Sequence, residues 1–152
     1  MRPLFLSLAA ILCLTGCENF RDQSDGLPPL DETAFTNEVE PLVEDSCGTM
    51  DCHGQVGQPL RIYSALGLRM SADLRGMDLS MLEIQANLRS FEAIDPGPLY
   101  DGRPGDSLVL TKPLAIAAGG VYHVGGDVWT SQDDEGYACV RGWLSGATEA
   151  DT

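Results

Sequence analysis

Cys47-Gly48-Thr49-Met50-Asp51-Cys52-His53 brings two thiols and an imidazole into one short stretch. A thiol can add across a vinyl group to form a thioether, and a neutral imidazole is a ready metal ligand. The order Cys, Cys, His is that of the Cys-x-x-Cys-His signature for covalent haem attachment, here with a spacer two residues longer. Read that way, Cys47 and Cys52 carry one haem c and His53 is the proximal iron ligand. Two other chemistries remain open for the same residues. The thiols can close a disulfide, with each other or with Cys139, leaving His53 as a surface side chain. A zinc site is the weaker reading, because Cys52 and His53 are adjacent and structural zinc sites use spaced ligand pairs.

His123 is the second of only two histidines in the chain. Gly119-Gly120 and Gly125-Gly126 flank it, and glycines permit both positive φ and close backbone approach. It is the leading candidate for the opposite axial position, which would give the iron two imidazole ligands. Methionine sulfur is the other common sixth ligand. Met70 fits that role from a loop, Met50 sits in the attachment loop on the side taken by His53, and Met77 and Met81 fall on a helical apolar stripe that reads as core.

The compartment follows from the amino-terminal stretch. Met1-Arg2-Pro3 and the apolar run from Leu4 to Leu14 have the form of a secretory signal, and that run is too short to span a bilayer. It ends in Leu14-Thr15-Gly16-Cys17, which resembles the lipobox of bacterial lipoproteins. Residues 1–16 are therefore expected to be removed as a signal peptide and Cys17 to be lipidated. Two or more acyl chains give stable anchoring where one binds only marginally. Residues 17–30, with Pro28-Pro29 and few core-forming side chains, read as the lipidated start and a flexible linker. The expected location is the periplasmic side of a bacterial membrane, held by that lipid. In an oxidising compartment Cys47, Cys52 and Cys139 need an accounting, and haem attachment supplies one for the first two.

Charge narrows the partners. Nine basic against 23 acidic residues give a formal charge of −14, which repels phosphate backbones and anionic lipid surfaces. Nucleic acid is excluded as a partner on that ground. The same acidic surface suits a basic redox protein of the envelope as well as simple solubility.

The elements that must hold these side chains are helical. Phe35, Val39, Leu42 and Val43 recur on one face of a helix over Asp31 to Asp45 that runs into Cys47, with Asp31 or Thr33 as its cap. Pro41 predicts either a kink or a helix that starts near Glu40. Leu74, Met77, Met81, Ile84, Leu88 and Phe91 form a second stripe. Ser80-Met81-Leu82-Glu83 carries a capping-box spacing, so the firm helix is predicted from Met81 to Phe91. Residues 92–126 are rich in turn formers. A closing helix with Tyr137, Val140, Trp143 and Leu144 follows Asp133-Asp134-Glu135 and ends at Gly146.

The segment from Phe35 through Val39, Pro41-Leu42-Val43 and Cys47 to Gly54 resembles the start of cytochrome-c-like domains in bacterial periplasmic lipoproteins, including the planctomycete-type cytochrome c group. Pro104-Gly105-Asp106-Ser107, Lys112-Pro113-Leu114 and the glycine-flanked His123 resemble the carboxy-terminal half of the same group. The chain departs from the group's pattern in its longer cysteine spacer. The resemblance implies a mostly α, small cytochrome-c-like domain with long irregular loops over residues 31–146, followed by a polar tail, 147–152. It implies electron transfer rather than enzymatic catalysis, and no nucleophile with its base is evident. Aromatic packing of the last helix on the first, through Tyr137 and Trp143 against Phe35 and Val39, is part of the same expectation. The rival reading is a haem-free, disulfide-stabilised envelope lipoprotein acting as a binding or structural module. A haem sensor or peroxidase-like site would instead require His123 to leave the sixth position open.

Overall fold

The computed structural model describes residues 30–146, so the expected signal peptide, Cys17 and the polar tail lie outside the described residues. Helices dominate, and among the described residues pairing between extended segments is limited to two isolated bridges, Tyr63 with Leu68 and Leu114 with Trp129. No helix there is long and apolar enough to cross a membrane.

The first helix, α1, covers residues 32–47 and is capped by Asp31, whose Oδ1 accepts from the Thr33 and Ala34 N–H groups at 2.8 and 2.9 Å. Its regular α-helical part begins at Glu40, the late start that Pro41 allowed for. Before it the turn Phe35–Val39 widens, with the Glu40 N–H reaching back five residues to the Phe35 carbonyl. Pro41 has no N–H to give and its ring crowds the carbonyl one turn back, so an extra residue in the preceding turn lets the helix continue to Cys47. The next long helix, α2, is Met81–Ile94, and its capping box from Ser80 and Glu83 is closed in both directions. Short helices α3 (Gly97–Tyr100) and α4 (Leu108–Thr111) punctuate the irregular middle. The last helix, α5, is Glu135–Leu144, started by the Asp134 side chain on the Gly136 N–H.

These helices meet in an aromatic cluster. Phe35 of α1, Phe91 of α2 and Trp143 of α5 are all buried, with ring centroids 5.1 to 6.1 Å apart. Such pairs add about 1 kcal/mol each beyond area burial. The Trp143 indole N–H also donates to the Asp31 carbonyl at 3.1 Å, tying the last helix to the cap of the first. Tyr137 serves a different pair, packing edge-on against Trp129 at 5.6 Å.

The α2 stripe is buried only in its second half. Leu88 and Phe91 are buried, but Met77 and Met81 are exposed. The helix starts at Ser80, so Met77 lies in the preceding turn out of register with it, and Met81 points outward from the first turn. The space expected for those methionines is taken by polar groups. Glu83 and Asn87 are fully buried. Glu83 pairs with the buried Arg69 side chain at 2.9 Å and also accepts from the Met70 and Ser80 N–H groups. Arg69 in turn donates to the carbonyls of Leu74, Met77 and Asp78, which draws residues 69–78 into a closed loop. Asn87 clamps the Tyr63 main chain, accepting from its N–H at 2.7 Å and donating to its carbonyl at 2.8 Å.

Candidate functional site

The carboxy-terminal end of α1 releases the chain at Cys47 into a tight double turn. Cys52 N–H and Gly54 N–H both donate to the Thr49 carbonyl, and His53 N–H donates back to the Cys47 carbonyl at 2.9 Å. The longer spacer is thus folded up rather than extended. Three glycines make this possible. A Cβ on Gly54 would lie 1.9 Å from the Gly48 oxygen and one on Gly67 would lie 2.1 Å from it, so both positions exclude any side chain. The Ser64 hydroxyl donates to that same crowded carbonyl.

His53 is then held from two sides by the 60–62 segment. Its Nδ1 is 2.8 Å from the Leu60 carbonyl oxygen, and its own carbonyl accepts from the Ile62 N–H at 3.0 Å. A carbonyl can only accept, so in the neutral ring Nδ1 carries the proton and Nε2 keeps the free lone pair. Burial lowers the His53 pKa, opposed by the Leu60 hydrogen bond and reinforced by the nearby His123 and Lys112. The ring is therefore neutral at neutral pH, the form that binds a metal. The Asn87 clamp on Tyr63 anchors this segment to α2 just beyond Ile62.

His123 reaches the same place from the opposite half of the chain. Gly119 has φ +101°, and a Cβ on Gly120 would sit 1.8 Å from the Leu114 carbonyl, so this glycine pair lets the loop lie directly on residues 113–115. Further on, His123 Nδ1 lies 3.0 Å from the Gly126 carbonyl oxygen, which leaves its Nε2 free by the same reasoning. The His53 and His123 ring centroids are 6.1 Å apart with planes inclined by 10°. Two imidazoles bound to one first-row metal through bonds of about 2 Å place their centroids roughly 6 Å apart once the ring radii are added.

Both histidines line a cavity of about 340 Å³. Its walls include Cys47, Cys52, Val43, Leu60, Phe91 and Trp129, so it is mainly apolar and within the size range of cofactor pockets. Cys47 and Cys52 face it as free thiols, and Cys139 is also free but half-buried on α5. Burial, followed by the neighbouring Cys52, pushes the Cys47 pKa up to about 11, so this thiol is protonated and unreactive as a thiolate. The site brings together every described residue singled out by the sequence motif, Cys47, Cys52, His53 and His123. None of the candidate methionines is in its wall: Met50, Met70, Met77 and Met81 are 45 to 59% exposed. Among the described residues no group of three or more His, Cys, Asp and Glu side chains converges as a bare-metal site. Lys112, the only lysine in the sequence, also lines the cavity. Its uniqueness in an acidic chain was the available signal for it, whereas the Leu60 and Gly126 carbonyls carry no side-chain signal at all.

Comparison with protein-family models, curated proteins and solved structures finds no match to this chain.

Proposed function

We propose that this chain is a lipid-anchored c-type cytochrome of the periplasm, with a cytochrome-c-like domain that binds one covalent haem and transfers electrons to or from a redox protein of the envelope. The observation that carries the reading is the pair of near-parallel imidazoles, with centroids 6.1 Å apart in the wall of one apolar cavity, each with Nδ1 committed to a backbone carbonyl. Two free cysteines in the same cavity wall support covalent attachment over an internal bridge. Haem bound there supplies an iron that cycles between ferrous and ferric states.

The protein's part is to bind, orient and shield. Cys47 and Cys52 would hold the haem by thioether bonds, each S–H adding across one vinyl group with sulfur on one carbon and hydrogen on the other, which needs no oxidant. His53 and His123 would bind the iron through Nε2, and the Nδ1 contacts with the Leu60 and Gly126 carbonyls set ring orientation. Val43, Leu60, Phe91 and Trp129 keep water from the centre, which favours outer-sphere electron transfer over chemistry at an open iron site.

The test is the visible spectrum and denaturing-gel haem stain of the full chain matured in a host with a cytochrome c assembly system. Covalent stain with a low-spin spectrum is expected. Absence of covalent haem under those conditions ends the reading in favour of the disulfide-stabilised module. His123→Ala is expected to convert the spectrum to high spin while leaving the stain intact, and an unchanged low-spin spectrum would remove His123 from the iron.

A further inference from the structure

A second depression adjoins the cavity. Pro59 and Ile94 belong to both walls, and beyond them the groove is lined by Gln58, Arg61, Arg89 and Ser90. Along α2 the lining positions Ala86, Arg89, Ser90 and Ala93 recur at helical spacing on one face. Ala86, Ser90 and Ala93 are small and leave the groove open, and Arg61 and Arg89 both line it.

Arg61 is positioned rather than free to roam. Its guanidinium lies 5.3 Å from the centroid of the Tyr63 ring, and Asn87 clamps the Tyr63 main chain. Both arginines are exposed, and among the described residues neither has a carboxylate within 4 Å, although acidic residues outnumber basic ones 23 to nine. In such a chain two guanidinium groups facing one groove, beside an apolar cavity, match an elongated ligand with an apolar body and carboxylates at one edge. Haem has that form, and a guanidinium fork matches a carboxylate bidentately.

We propose that Arg61 and Arg89 bind the haem propionates, making this groove the polar exit of the apolar cavity. The inference rests on the cytochrome reading and extends it to residues outside the attachment motif. Lys112 is the competing cation, since it lines the cavity itself.

The experiment compares haem with its dimethyl ester, in which the propionate charges are absent. In the full chain carrying Cys47→Ala and Cys52→Ala, where covalent attachment is removed, both dissociation constants are measured by spectral titration. Haem is expected to bind about tenfold or more tightly relative to the ester. Adding Arg61→Gln and Arg89→Gln should bring that ratio near one, with helicity by circular dichroism unchanged because both side chains are exposed. A ratio unaltered by the arginine changes overturns the inference while haem binding stands. A ratio that survives them and collapses in Lys112→Gln assigns the propionates to Lys112 and also overturns it. If neither porphyrin binds and the unmodified chain takes no covalent haem, the cytochrome reading falls and this inference with it.

Discussion

Replacing Glu83 by Gln tests whether a buried ion pair, rather than the apolar stripe, holds α2 against the 69–78 loop. The carboxylate is fully buried and accepts from Arg69 at 2.9 and 3.0 Å, from Met70 N–H at 3.0 Å and from the Ser80 main chain and hydroxyl. Gln keeps the shape but turns one acceptor oxygen into a donor and leaves the Arg69 charge uncompensated. Breaking a buried pair from one side costs about 3–5 kcal/mol. The depressed pKa of Glu83 corresponds to a similar size. The Arg69 hydrogen bond, ahead of the opposing effect of burial, lowers the Glu83 pKa from 4.5 to about 2, a depression worth roughly 3 kcal/mol. Because the folded pKa is the lower one, this stabilisation is fully present above pH 4.5 and is lost as pH falls through the interval toward 2. Against a typical total of about 5–15 kcal/mol, Glu83→Gln should lower the melting temperature by roughly 10–20 °C at pH 7. Urea titrations at pH 7 and pH 3 measure both effects. The double change Arg69→Met with Glu83→Leu should recover much of the loss. A cost under about 1 kcal/mol at pH 7, or an acid limb identical in wild type and variant, would refute the reasoning.

Glu40 gives the opposite pH signature. It is buried with Oε1 unpartnered, and burial, then the Glu44 charge, raises its pKa to about 7 despite the hydrogen bond from Asn87. Folded-state stability should therefore decline from pH 4.5 to 7 as the unfolded chain ionises first, by about 3 kcal/mol. Glu40→Gln should remove that slope, stabilising the protein at pH 8 and changing little at pH 4, as read by urea denaturation. Gly54→Ala forces a Cβ to within 1.9 Å of the Gly48 oxygen, so a loss of about 3 kcal/mol or more and disrupted haem attachment are expected, read by denaturation and gel stain. Wild-type stability would show that the double turn is not packed as described.

The parts written locally in the chain were legible without coordinates. Asp31, Ser80 and Asp134 announce their helices because capping acts within three residues, and Cys47 with Cys52 and His53 announces its chemistry because the three are neighbours. The closing helix was expected to meet the first through Trp143 and Phe35, and those rings lie 5.1 Å apart. Pro41 marked where the regular α-helix begins, at Glu40, but not the widened turn that joins it to the residues before, since several backbone paths relieve the same clash.

The α2 stripe was misleading, because periodicity marks which side chains share a face but not which face is covered. Arg69 and Asn87 claim that interior by contacts distant in sequence, and such pairings leave no periodic trace. The local chain order thus determined which residues have chemistry to offer: two thiols, two imidazoles and a cluster of glycines. Only the tertiary structure decided that the His53 and His123 rings lie 6.1 Å apart with their Nδ1 atoms already engaged. The reason is physical: the orienting partners are backbone carbonyls of Leu60 and Gly126, and every residue in a sequence has a carbonyl, so nothing but the folded path of the chain can single those two out.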